Sequence, residues 1–101
     1  MFTPRYQNEQ TDHLIQSILS LENAEEAYRF LEDLLTIQEM KSITQRLEVA
    51  VMLRNKETYQ EIVHKTGAST TTIGRVNRTL QYGADGYATV LDRLAQKTQE
   101  K

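Results

Sequence analysis

Apolar residues recur every three or four positions along most of the chain, the period of amphipathic helices, and no stretch alternates as a strand would. Leu14, Ile15, Ile18, Leu19 and Leu21 form one stripe and predict a first helix from about Asn8 to Leu21. Asn23 with Glu26 is a capping signal, and a second helix follows to about Leu35, with Ala24, Ala27, Tyr28, Leu31, Leu34 and Leu35 apolar. Phe30 lies off that stripe, which fits either a helix covered from two sides, as in an intertwined oligomer, or a single exposed ring. Thr36 with Glu39 forms a capping box ahead of the longest helix, Ile37 to Asn55. At 1.5 Å per residue that helix spans roughly 27 Å, a central strut. A last helix is expected from about Gly86 to Thr98, capped by Asp85, with Tyr87, Val90, Leu91 and Leu94 apolar. Residues 1 to 6 read as a loose arm containing Pro4, Phe2 and Tyr6, and the tail after Lys97 is polar.

Between the strut and the last helix lies Thr58 to Leu80, TYQEIVHKTGASTTTIGRVNRTL. It reads as a helix-turn-helix. Thr58 and Glu61 have capping-box spacing, and Ile62 and Val63 give the first short helix an apolar face. Gly67 falls where the chain must reverse, and glycine reaches positive φ without steric cost. Ser69 suits the N-cap of a second helix whose Ile73, Val76 and Leu80 recur at helical spacing. The pattern as a whole predicts an all-α protein of six helices, with the helix-turn-helix as helices 4 and 5. It reads as a single domain over 1–101, with the remaining helices, about 8–55 and 86–98, serving dimerisation.

Ser69, Thr70, Thr71, Gly74, Arg75 and Arg78 fall away from the Ile73/Val76/Leu80 stripe, and the hydroxyls of Ser69, Thr70, Thr71 and Thr72 are expected on phosphates and base edges. A recognition helix enters the major groove of DNA N-terminal end first. Hydroxyls there suit phosphates and base edges, and arginine suits phosphate or guanine. Gln60, at the start of the preceding helix, is placed to touch the DNA backbone. Taken singly, each hydroxyl is better explained as a helix cap or a solvated side chain.

Charge sharpens this picture. The net charge is −2, yet Ile62 to Ala84 holds Lys65, Arg75 and Arg78 with no acid. The rest of the chain carries a balance of −5, and residues 9 to 33 contain seven acids and one base, Arg29. A basic head on an acidic body is the pattern of a binder that avoids non-specific contacts. A chain of 101 residues buries only about two-thirds of its unfolded surface alone, so oligomerisation would help it. There is no cysteine, and His13 and His64 are far apart, so thiol chemistry, a metal and an enzymatic centre are not expected, nor is a cofactor. No apolar run reaches a membrane span, and the N-terminus lacks an apolar signal-like core, so the expected location is cytoplasmic, without a membrane partner.

Leu34-Leu35-Thr36, Gln45-Arg46, Gly67-Ala68 and Thr72-Ile73 with Arg75 resemble the Trp repressor family, over roughly residues 10 to 96. More specifically, the sequence looks like the YerC/YecD type of Trp-repressor-like protein from bacteria. The resemblance implies an intertwined homodimer in which N-terminal helices interlock and the helix-turn-helix units project as reading heads. It also implies a small-ligand pocket at Thr36, Arg46 and Arg75, where the family's best-known member holds L-tryptophan. Val76 departs from the glycine found at that place in tryptophan binders, which disfavours tryptophan and leaves any effector unidentified. The function expected is a sequence-specific DNA-binding regulator, a repressor, acting on double-stranded DNA as a homodimer. The competing expectation is a protein-interaction module of the same fold without specific DNA binding.

Overall fold

The computed structural model describes residues 1–99. It contains six helices and, among the described residues, no strand: α1 (Glu9–Leu19), α2 (Ala24–Leu34), α3 (Ile37–Arg54), α4 (Tyr59–Thr66), α5 (Thr70–Tyr82) and α6 (Gly86–Gln99). The fold is therefore all-α, with the helix-turn-helix as the fourth and fifth helices.

The starts of the helices follow from local chemistry. Asn8, Asn23, Thr58 and Ser69 each take an extended backbone and accept a hydrogen bond from an amide three residues on. Thr36 and Glu39 close a reciprocal box: Thr36 N–H donates to Glu39 Oε1 at 2.9 Å, and Glu39 N–H to Thr36 Oγ1 at 3.1 Å. The Thr36 backbone N–H, and then its hydroxyl, hold the Glu39 carboxyl below its ordinary value of 4.5. Asn23 caps Glu26 as expected, but the Glu26 carboxylate reaches one residue further back, to Glu22 N–H at 2.9 Å.

The ends depart more from expectation. α1 stops at Leu19, short of Leu21. The Ser20 hydroxyl donates to the Ser17 carbonyl at 2.7 Å and Leu21 N–H to Ile18 O at 3.2 Å, so the last turn tightens and closes. α3 ends in a Schellman arrangement: Glu57 N–H donates to Met52 O and Lys56 N–H to Leu53 O. The left-handed residue that motif requires is Lys56, at φ 62, where glycine is usual. α5 runs on to Tyr82 and closes at Gly83, where a Cβ would collide with the Thr79 carbonyl. Asp85 also departs from the expected cap geometry. Its φ is 65, left-handed where the other caps are extended, and it engages α6 through its carbonyl, which accepts from Thr89 N–H at 3.0 Å.

The chain divides into two compact units, Met1–Met40 and Lys41 onward. In the first, neither α1 nor α2 buries any residue fully. Leu14, Ile15, Ile18, Leu19, Tyr28, Leu34 and Ile37 are exposed, while Phe30 and Leu31 are half-buried. Their amphipathic pattern is intact but uncovered. In the second unit a small core forms from Val49, Ala50 and Met52 of α3, Ile62 of α4, Ala68 of the turn, and Ile73 and Val76 of α5. Leu53, Leu80, Tyr87 and Leu91 pack against it. Burial of each branched side chain here contributes about 2 kcal/mol, so the helix-turn-helix is fixed chiefly by Ile62, Ile73, Val49 and Val76. Arg54 and Asp92, 2.6 Å apart, tie α6 to the end of α3.

Candidate nucleic-acid interface

The α4–turn–α5 unit is fixed at its start, at its turn and from α3. Thr58 and Glu61 complete a capping box at the start of α4. At its end, Thr66 Oγ1 donates to Ile62 O at 2.7 Å and accepts from Ala68 N–H at 3.1 Å. Gly67 takes φ 74, and Ala68 then turns into the core. From α3, Gln45 Nε2 donates to the Thr66 carbonyl at 3.2 Å, pinning the turn to the strut. With Ile73 and Val76 inward, α5 must present its opposite face outward.

The structure sorts the residues expected on that face. Ser69 and Thr72 are committed to each other: Thr72 N–H donates to Ser69 Oγ, and the two hydroxyls bond at 3.1 Å. They build the helix start. Thr70 and Thr71 are exposed, and among the described residues their hydroxyls have no hydrogen-bond partner. Arg75 and Arg78 are exposed and form no ion pair among the described residues. Gln60 is exposed in the first turn of α4. At about 100° per residue, Thr71 and Arg78 point almost directly away from the core, and Arg75 lies about 60° round from Arg78.

Lys65, the third cation of this segment, behaves differently. Its ammonium lies 2.8 Å from Glu57 Oε1, and the hydrogen bond and charge of Glu57 raise it above its ordinary 10.5. The free positive charge of the head is thus concentrated on α5.

Tyr59, Asn77 and Gln81 belong to the same surface without any signal in local sequence. Asn77 Nδ2 donates to the Tyr59 hydroxyl at 3.3 Å, and Gln81 Nε2 to Asn77 Oδ1 at 3.5 Å. This seam joins the first residue of α4 to the middle of α5 across 18 residues of sequence. Only the helix-turn-helix geometry brings them together.

On the other flank of α5 lies an open groove of about 670 Å³, lined by Ser42, Gln45, Arg46, Thr72, Arg75, Val76, Thr79 and Tyr87. Two arginines and several hydroxyls line it, with no acid among them. Arg46 forms no ion pair among the described residues. Val76 is 3% exposed and belongs to the groove lining. Thr36 belongs to the first unit, where its hydroxyl is engaged by Glu39 N–H. His13 and His64 are exposed, and no cluster of metal-ligating side chains occurs among the described residues. No described helix is long and apolar enough to cross a membrane.

Comparison with known proteins agrees with this architecture. Residues 9–95 match the family model described as Trp repressor protein. The uncharacterized protein YerC of Bacillus subtilis (strain 168) is 51% identical over 96 residues, covering 95% of this chain and 92% of YerC. A TrpR-like protein from Eubacterium eligens superposes with a TM-score of 0.85 at 54% identity, over 88% of this chain and 92% of that one. A proposed Trp repressor from Staphylococcus aureus superposes with a TM-score of 0.84 at 47% identity, over 88% and 89%. With a family match over nearly its whole length and relatives of the same size and fold, the chain belongs to the Trp repressor family.

Proposed function

We propose that this protein is a sequence-specific regulator that binds double-stranded DNA as a homodimer and acts as a repressor in the cytoplasm. The observation that carries this reading is the outer face of α5, where Thr70, Thr71, Arg75 and Arg78 are exposed with no intramolecular partner among the described residues. Arginines unpaired within the chain are available to phosphate or guanine, and hydroxyls near the helix start suit phosphates and base edges. Gln60, in the first turn of α4, is placed to contact the backbone of the duplex. Ser69 and Thr72 shape the helix start from which these groups project. This arrangement serves binding, not catalysis.

The dimer is supported by the apolar residues that α1, α2 and the start of α3 leave uncovered. A second chain interlocked with them, as the family likeness implies, would bury those stripes and make residues 1–101 one functional body. Binding should be measured by fluorescence anisotropy at several salt concentrations. Retention of duplex at physiological salt, with affinity falling steeply as salt rises, is the expected result. Failure to retain any duplex would favour the alternative, an interaction module of the same fold.

The groove beside α5 supports a second role. Arg46 and Arg75 on an acid-free lining fit a small carboxylate- or phosphate-bearing effector. Thr36 is carried into this pocket by family likeness alone. Val76 stands where the family's tryptophan binders have glycine and room for the indole, so L-tryptophan should bind weakly or not at all. Calorimetry showing micromolar affinity would refute that point.

A further inference from the structure

We infer that Gly74 is a close-approach position at which a base-pair edge comes directly against the backbone of α5, and that it sets sequence specificity there. This rests on the DNA-binding reading above and adds a residue to it.

Glycine in a helix interior needs a reason, because it is the poorest helix former after proline. The other glycines near the head have theirs within the chain. Gly67 holds φ 74, and Gly83 has the Thr79 carbonyl where a Cβ would stand. Gly74 has neither. It lies inside α5, outside the positive-φ region, and a Cβ built on it meets nothing within 4 Å. Nothing in the chain's own packing requires it.

Its position gives the reason. On the helix surface, the neighbours of Gly74 three and four residues away are Thr70, Thr71, Asn77 and Arg78. It points about 160° away from the core residue Val76 and about 100° away from Ile73, and it is half-buried. The bare backbone is therefore a gap between the outward-facing Thr71 and Arg78 and the half-buried Asn77 beside α4. One side of the gap is fixed: Asn77 donates to the Tyr59 hydroxyl and accepts from Gln81, so its amide is already committed. The other side, Thr70, Thr71 and Arg78, is free of such bonds among the described residues. A glycine bordering a reading face lets a partner approach the backbone, and its Cα hydrogens tolerate a base edge or thymine methyl that a side chain would displace.

The test uses full-length Gly74→Ala and Gly74→Leu, both better helix formers than glycine, with Arg78→Ala for comparison. Affinity is measured on a selected duplex and on random duplex, and thermal midpoints are recorded alongside. The expected result is a midpoint at or above wild type. Affinity for the selected duplex should fall about tenfold for alanine and further for leucine, with a much smaller change on random duplex. Arg78→Ala should instead weaken both duplexes together. If both Gly74 variants bind the selected duplex like wild type while Arg78→Ala does not, the inference is overturned and the functional reading stands. A lowered midpoint would assign the glycine to packing between chains and overturn the inference equally. If wild type itself retains no duplex, the functional reading fails first and the inference with it.

Discussion

Arg78→Ala should weaken DNA binding and Lys65→Ala should leave it nearly unchanged, although both remove one positive charge from the head. Arg78 is exposed on the outer face of α5 with no ion pair among the described residues. Its loss should not harm the fold, since alanine exceeds arginine as a helix former by only about 0.2 kcal/mol. A homodimer carries the residue twice. At about 0.9 counterions released per phosphate, two lost contacts should lower the slope of log affinity against log salt by about 1.8. Near 0.15 M salt each release contributes about 1 kcal/mol, so the pair amounts to about 2 kcal/mol, or roughly thirtyfold in affinity. Lys65, by contrast, is already neutralised by Glu57 at 2.8 Å. Its loss should leave the salt slope nearly unchanged. Thr71→Ala provides the third pattern: roughly 1–3 kcal/mol lost per contact on the selected site, with an unaltered slope. Anisotropy titrations on selected and random duplexes between low and physiological salt distinguish all three. Equal slopes for wild type and Arg78→Ala would refute the assignment of this face to phosphate. So would a drop for Lys65→Ala as large as that for Arg78→Ala.

Sedimentation should find a dimer that does not yield a folded monomer at micromolar concentration, and the thermal midpoint should rise by about 3 °C per tenfold increase in concentration. A concentration-independent midpoint would contradict this. Lys56→Gly should stabilise the protein by about 0.5–1 kcal/mol in urea denaturation, because it relieves a left-handed lysine at φ 62 at the end of α3; unchanged or lower stability would count against the Schellman geometry. The Glu39 carboxyl lies below its ordinary 4.5 in the folded chain, so its contribution is complete above that value and is lost as pH falls through the lowered one. Glu39→Gln should therefore flatten the acid limb of the stability curve, and an unaltered limb would show the box to be inert. Lys65 is raised, so its pairing holds below its ordinary 10.5 and is lost as pH climbs through the raised value; Lys65→Met should remove that alkaline dependence.

What could be read in the sequence was whatever depends on neighbours within one helical turn. The boxes Thr36/Glu39 and Thr58/Glu61, the Ser69 cap and the Gly67 reversal all form between residues three or four apart, and all occur in the structure. The core residues Ile62, Ile73 and Val76 follow from the same periodicity. Part of what escaped depends on tertiary placement. Lys65 looks like a free cation in sequence, but the reversal at Lys56 brings Glu57 back beside it. Tyr59 and Asn77 meet only because α4 and α5 cross. The αL conformation at Lys56 has no glycine to announce it. Tyr28 belongs to the apolar periodicity of α2 yet is exposed, whereas the off-stripe Phe30 is half-buried. Of the groups expected to read DNA, Ser69 and Thr72 turn out to be bonded to each other, which periodicity alone does not distinguish from a free hydroxyl.

The central claim, that the two α5 faces of a homodimer read DNA sequence, is tested most directly by selecting bound duplexes from a random pool with the full-length protein at physiological salt and sequencing them. The expected outcome is enrichment of a nearly palindromic site whose half-sites lie about one helical turn, roughly 34 Å, apart, lost when Arg78 and Thr71 are both replaced by alanine. A pool that stays random after repeated rounds, or a site enriched equally by the double variant, would contradict it.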